Sequence, residues 1–297
     1  MTDILSFCRE LGYPEEQAEF FAAADRAVCS VGGEATLAAA LAEFFAEKRK
    51  RTTDILPPIE GLAAKAGIHV LTLHALFVMR AFLAQREEYT EKYGEEVFLA
   101  SAGDLVCKTE ECIRSEGVIG ITTLSWFNVF LRQELFSLGR LQFHIVPFRM
   151  ESYERCGLSL RQGDPVINVH IPSSGRLPHE ACLDSYRRAY RFFRDRFAGD
   201  ILPFVCSSWM LYGRNLEFFP EGGNLVQFMA DYDIIHEDED PENKNLWRVF
   251  GKQFTDYSLL PRSTRLQSAL ADYLQAGNAM GHGYGVFAHD GEKIVRQ

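Results

Sequence analysis

Apolar side chains recur every three or four positions through most of the first third of the chain, the spacing that buries one face of an α-helix. Glu15–Val28 brings Ala18, Phe21 and Ala22 together, and Thr36–Glu47 does the same with Leu37, Ala40, Leu41, Phe44 and Phe45. Glu60–Glu88 is helical with a break near Gly67, and Glu91–Glu116 reads as shorter helices. Strand signals are nearly absent up to residue 116, so residues 1–116 are expected to form an all-helical domain.

From Gly117 the pattern changes, and residues 117–297 are expected to form a second, α+β domain. Val118–Thr122 is a short β-rich run and Leu124–Ser137 a predicted helix. Gly139–Met150 then alternates as a strand, with Leu141, Phe143 and Ile145 on one side. Cys156–Arg161 and Val166–Ile171 are expected to pair across the turn Gln162-Gly163-Asp164. His179–Phe197 carries the clearest helical stripe: Leu183, Tyr186, Tyr190, Phe193 and Phe197. Pro203–Leu211 reads as a buried strand and Tyr232–His236 as another. The acidic run Glu237–Glu242 reads as a loop, Thr264–Gln275 as a helix and Gly285–His289 as the last strand.

The net charge is −10 over 297 residues, and most of the excess lies before Gly117, where 20 acidic residues face 12 basic ones. Such a surface repels phosphate backbones. The stretch GLAAKAGIHVLTLHALFV resembles a helix-turn-helix, but its second helix offers Val70, Leu71, Leu73, Leu76, Phe77 and Val78 where base contacts need polar groups. Nucleic acid is therefore not an expected partner. The seven cysteines are scattered and odd in number, no signal segment is recognised, and no apolar run approaches the ~20 residues that span a bilayer. The expectation is a soluble cytoplasmic protein with reduced thiols and no membrane partner. No metal site is expected either. His236–Asp240 lacks the spaced ligands of a calcium loop, and Cys107 and Cys112 lack a second pair.

One segment suggests chemistry. Val166–Ile171 is followed by Ser173-Ser174-Gly175-Arg176 and then by the helix from His179. Free amides and the positive end of a helix dipole hold anions without needing lysine. The order of elements from Gly139 resembles that of GNAT acyltransferases. The strings LGRLQFHIVPF, VHIPSSGRLPHEACLDSYRRAYRFF, FVCSSWML, GGNLVQFM, LPRSTRLQ and GHGYGVF narrow it to a family of bacterial two-domain acyltransferase-like proteins. That resemblance runs from about Leu138 to Phe287. It implies a helical N-terminal domain followed by a GNAT-like mixed, mainly antiparallel sheet with flanking helices. It further implies acetyl-CoA or another acyl-CoA as co-substrate and a small-molecule or peptide amine as acceptor. The pyrophosphate would lie against Ser173, Ser174, Gly175 and Arg176, although Pro172 and Pro178 bracket this loop and the usual second glycine is missing.

GNAT sites form where two neighbouring strands part, here Val166–Ile171 and Pro203–Leu211. This geometry makes His170 and Glu134 candidate bases and Tyr212 a candidate acid, as the resemblance implies. Each has a plainer reading: a hydrogen-bonded strand-end histidine, a surface ion pair with Arg132, and a tyrosine packed at a strand end. Cys206, Ser207 and Ser208 raise a covalent hydrolase, which would need a histidine within reach. GHGYG at Gly281–Gly285 reads as a tight turn or bulge. A non-catalytic GNAT-like module that has lost coenzyme A is the alternative to the enzyme.

Overall fold

A computed structural model describes residues 3–296. The chain divides into two compact units, Met1–Phe136 and Ser137–Gln297.

The first unit is helical, as its periodicity predicts: α1 Ile4–Glu10, α2 Glu15–Ser30, α3 Gly33–Ala46, α4 Thr52–Ile55, α5 Gly61–Ala66, α6 Val70–Tyr93, α7 Glu95–Ala102, α8 Asp104–Glu116 and α9 Phe127–Leu131. Gly67, in the left-handed region at φ 68°, ends α5 and gives the expected break before α6. Leu73, Leu76, Phe77 and Val78 of α6 are wholly buried, so the helix-turn-helix lookalike is core.

Two expectations after Gly117 are corrected. No strand forms at 118–122. Ile121 N–H donates to Leu71 O at 3.1 Å, and the Thr72 hydroxyl donates to Ile119 O at 2.7 Å. Gly120 lies so close to Leu71 that a Cβ would sit 2.5 Å from its carbonyl carbon. The segment is thereby laid on α6 as an irregular strap. The helix predicted at 124–137 is a 3-10 turn, the short α9 and then a strand. Gln133 takes φ 56°, which breaks the helix despite its apolar spacing.

The second unit is built on a seven-stranded sheet. Its strands are β1 Leu135–Leu138, β2 Leu141–Pro147, β5 Pro165–His170, β6 Leu202–Ser208, β7 Asp233–Asp240, β8 Met280–His289 and β9 Ile294–Val295; β3 Ser152–Arg155 and β4 Leu158–Arg161 form a separate hairpin. The sheet order is β1-β2-β5-β6-β8-β7, with β9 beside β8. Only β5 and β6 are parallel among the registered pairs. Four helices accompany them: α10 His179–Phe193, α11 Asn224–Met229, α12 Trp247–Phe250 and α13 Arg265–Gln275.

Strand alternation separates the two faces of the sheet. Phe143, Phe204 and Phe287 point to the side covered by α10, where Tyr186 meets Phe287 at 4.7 Å between ring centroids. On the other face, Val166, Val205, Val286 and Ala288 pack against Tyr153, Leu158 and Leu160 of the hairpin.

Three further sequence expectations change here. The Gln162-Gly163-Asp164 turn does not join a hairpin: β4 pairs with β3, and β5 pairs with β2. The acidic run is strand as far as Asp240, because pairing with β8 overrides its poor strand propensity. GHGYG is not a turn but the first half of β8, and the register shift beside it falls in the partner strand, where Ile234 pairs with Gly285 and His236 with Tyr284. Its glycines share one face, and a Cβ on Gly281, Gly283 or Gly285 would meet Tyr212, Leu211 or Tyr232 at 2.5, 2.2 and 2.7 Å. They let the 3-10 turn Trp209–Leu211 lie directly on the sheet.

Candidate active site

The pairing between β5 and β6 covers Ile167/Phe204 and Asn168/Val205 and then stops. Each strand continues with its other neighbour. Gln142 still pairs with His170, and Ser207 and Ser208 still pair with Tyr284 and Gly283. A gap thus opens between the C-terminal ends of two parallel strands, as the sequence reading expects.

The face of the sheet at this opening changes character. Register puts Gln142 and His144 of β2, Asn168 and His170 of β5, Ser207 of β6 and His282 of β8 on the side opposite α10. Where the hairpin covers this face it is apolar; around the opening it is polar. His170 Nε2 lies 2.9 Å from Asn168 Nδ2 and 3.0 Å from His144 Nδ1. The two imidazoles are stacked, with centroids 4.8 Å apart and an interplanar angle of 13°. Ser207 Oγ and His282 Nδ1 are 3.5 Å apart, the outer limit of a hydrogen bond.

Past His170 the chain makes the loop and enters α10. Gly175 takes φ 83°, a conformation that favours glycine, and its N–H donates to Ser173 O at 2.8 Å. Arg140 grips the loop from one side. Its Nε donates to Arg176 O at 2.9 Å and its Nη2 to Gly175 O at 3.1 Å. The residue before α10 is Pro178, which supplies no side-chain cap to the first amides of the helix. His179, the first residue of α10, is tied through Nε2 to the buried Asp231 carboxylate at 2.9 Å. This pair anchors the helix start to the segment between α11 and β7.

The remaining sequence candidates fall elsewhere. Glu134 is exposed in the link between α9 and β1, not on a helix, and belongs to the first unit. Its supposed partner Arg132 instead donates to the carbonyls of Glu47 and Lys50, both at 2.9 Å. Tyr212 is buried with its ring over Gly281, on the α10 side of the sheet and so on the face opposite His170. The structure does not bring Tyr212 and His170 together. Burial pushes the Cys206 thiol up to about 12, which keeps it protonated and unreactive. Sequence reasoning missed His144, Asn168 and His282. For His144 and Asn168 the signal was an alternation of polar residues in β2 and β5, legible only once those strands are paired in register. Among the described residues no group of three or more His, Cys, Asp or Glu is placed to hold a metal ion, and no single helix is long and apolar enough to cross a membrane.

Burial pushes His144 and His289 down to about 4, from an ordinary value near 6.5. Burial and the neighbouring Arg149 and Arg248 lower His282 as well. A depressed folded-state value means that the unfolded chain takes up protons first. Stability present above pH ~6.5 is therefore lost as the pH falls toward 4, by at most about 1.4 kcal/mol per unit for each ring and less for the partly exposed His144. Asp231, raised by burial, acts in the opposite sense. The melting temperature is expected to fall steadily from pH 6.5 to 4.5. A level curve over that interval would mean that these rings take up protons without unfolding.

A profile of the GNAT-like C-terminal domain matches residues 135–287, just over half of the chain. The chain belongs to this GNAT-like family. An N-acyltransferase N-terminal domain matches residues 2–133, which completes the two-domain arrangement and bears out the α+β, GNAT-like fold expected from the sequence. A comparison with curated proteins finds no match. Among solved structures, a mutant acyltransferase in complex with octanoyl-CoA aligns at a TM-score of 0.72 and 24% identity, over 95% of this chain and 86% of that one. An acyltransferase in complex with decanoyl-CoA and teicoplanin gives 0.71 and 21%, over 99% and 88%. One in complex with CoA and 10C-teicoplanin gives 0.72 and 22%, over 95% and 86%. At these identities the likeness is one of fold.

Proposed function

We propose that this GNAT-like protein is an acyl-CoA-dependent acyltransferase that passes the acyl group directly to an amine of a small molecule or peptide. The observation that carries this reading is the opening between β5 and β6, with His170 on its rim and β5 leading straight into the Ser173–Arg176 loop and α10. The thioester would lie in the opening and the pyrophosphate against the loop. Arg140 takes up the carbonyls of Gly175 and Arg176, and the amides at the start of α10, which no side chain caps, would meet the anion beside Ser173 and Ser174. Arg176, exposed at the loop's end, would meet another charged group of the cofactor. His170 would take the proton from the acceptor amine as it attacks the thioester carbonyl, and the thiolate of coenzyme A would leave. The acyltransferases of similar fold, crystallised with octanoyl-CoA, decanoyl-CoA and CoA, support the cofactor class.

A thermal-shift titration with CoA, acetyl-CoA, octanoyl-CoA and decanoyl-CoA tests the proposal. Ligand at ~100 times its dissociation constant stabilises the folded state by about 2.7 kcal/mol, so a saturable rise in Tm is expected. No shift at millimolar ligand would favour the non-catalytic module. Gly175→Val narrows the result to the loop. Nothing lies within 4 Å of a Cβ at this position, but φ 83° disfavours any β-branched residue. The variant is expected to stay folded and lose CoA affinity about tenfold or more. Unchanged affinity would remove the loop from the site.

A further inference from the structure

Parallel pairing sets Asn168 of β5 beside Val205 of β6, an offset that would bring His170 level with Ser207 two residues further on. The strands part before that level, so His170 and Ser207 flank the opening from its two sides, both on the face away from α10. Ser207 Oγ stands 3.5 Å from His282 Nδ1. Its chain neighbours are differently placed. Cys206 and Ser208 point to the α10 side, where burial keeps the thiol protonated and the Ser208 hydroxyl accepts from Met210 N–H at 3.2 Å. A serine hydroxyl is a weak nucleophile until a neutral imidazole beside it takes its proton. Burial, helped by Arg149 and Arg248, holds His282 in that neutral form. Asp238 lies opposite His282 in the β7–β8 register, and its charge and that of Asp240 favour the imidazolium once a proton has arrived. Hydrogen bonds of this kind are often long before substrate binds and tighten during the reaction.

We propose that Ser207 is a nucleophile with His282 as its base, and that the pair gives the opening a second activity, the hydrolysis of acyl-CoA when no acceptor amine is present. Ser207 Oγ attacks the thioester carbonyl as its proton passes to His282 Nδ1. The C–S bond breaks, and His282 returns that proton to the departing thiolate of coenzyme A. Water then attacks the acyl-serine ester and gives a proton to His282. The ester C–O bond breaks, the carboxylic acid leaves, and the proton goes back to Ser207 Oγ. Nothing is oxidised or reduced. The inference rests on the reading of this opening as the thioester site.

The test uses the full chain with octanoyl-CoA and no amine. Free thiol and octanoate should appear in equal amounts, and acid quenching should trap an octanoyl group on the peptide that carries Ser207, read by mass spectrometry. Ser207→Ala is expected to abolish the adduct and to lower hydrolysis about 100-fold or more. His282→Gln should slow acylation about 10²–10⁴-fold, the size typical of a lost general base. Both variants should bind octanoyl-CoA within about twofold of the wild type in a thermal-shift titration, which separates chemistry from binding. Undiminished hydrolysis in Ser207→Ala, or an adduct on another residue, would overturn the inference. So would a wild type that binds octanoyl-CoA without hydrolysing it, a result that leaves the acyltransferase reading standing. A wild type that does not bind octanoyl-CoA overturns both.

Discussion

His170→Ala is expected to lower kcat about 10²–10⁴-fold while leaving the affinity for coenzyme A within about twofold of the wild type. That loss equals about 3–5 kcal/mol of barrier. It should be confined to the chemical step, because the loop and helix proposed to hold the cofactor begin only after His170. Small folding effects are expected. The ring is partly exposed, and the alanine leaves the Gln142 pairing of β5 intact. Single-turnover acyl transfer and a CoA titration on the same preparation separate the two quantities. A variant that keeps its rate would move the base elsewhere on the polar rim, to His282. A variant that loses CoA binding would place His170 in cofactor recognition instead.

Gly283→Ala should be among the most damaging single substitutions in the second unit, at about 3 kcal/mol or more. The added methyl would stand 2.2 Å from Leu211 O and 2.5 Å from its carbonyl carbon, distances that no rotamer change relieves because both atoms are backbone. The turn Trp209–Leu211 follows directly on β6, so displacing it pulls on the Ser208/Gly283 pairing beside the opening. Gly175→Ala is the useful contrast. There the conformation is unfavourable but the space is empty, and about 1 kcal/mol is expected. Urea denaturation should show a much lower midpoint for Gly283→Ala at a similar slope. Equal midpoints for the two variants would mean that the turn can move off the sheet at little cost.

Sequence patterning was most legible where burial falls on one face of a helix. The stripe Tyr186–Phe193 and the broken pair at Gly67 are local properties of the chain, and both elements form as expected. The strand–loop–helix from Val166 to His179 was legible for the same reason, together with the parting of β5 from β6 that the resemblance implied. Pairing was not legible. The turn after Arg161 has hairpin chemistry, yet β5 finds its partner in β2, beyond the intervening β3–β4 hairpin. The glycines of β8 look like turn residues until the close approach of Leu211 and Tyr212 explains them. The same limit hid the His144–Asn168–His170 network. His144 and Asn168 are far apart in the chain, and only an antiparallel register makes them opposite neighbours.

β7 closes the main sheet on one side, and its outer edge carries no further strand among the described residues. An open edge of backbone donors and acceptors is a template onto which another chain can add. Glu237, Asp238 and Glu239 of β7 are exposed, and Asp240 follows them. Any second strand laid along them in register would meet a row of carboxylates, and a second copy of β7 would bring its own. The acidic run that resembles a loop in the sequence thus acts as a guard against edge-to-edge aggregation.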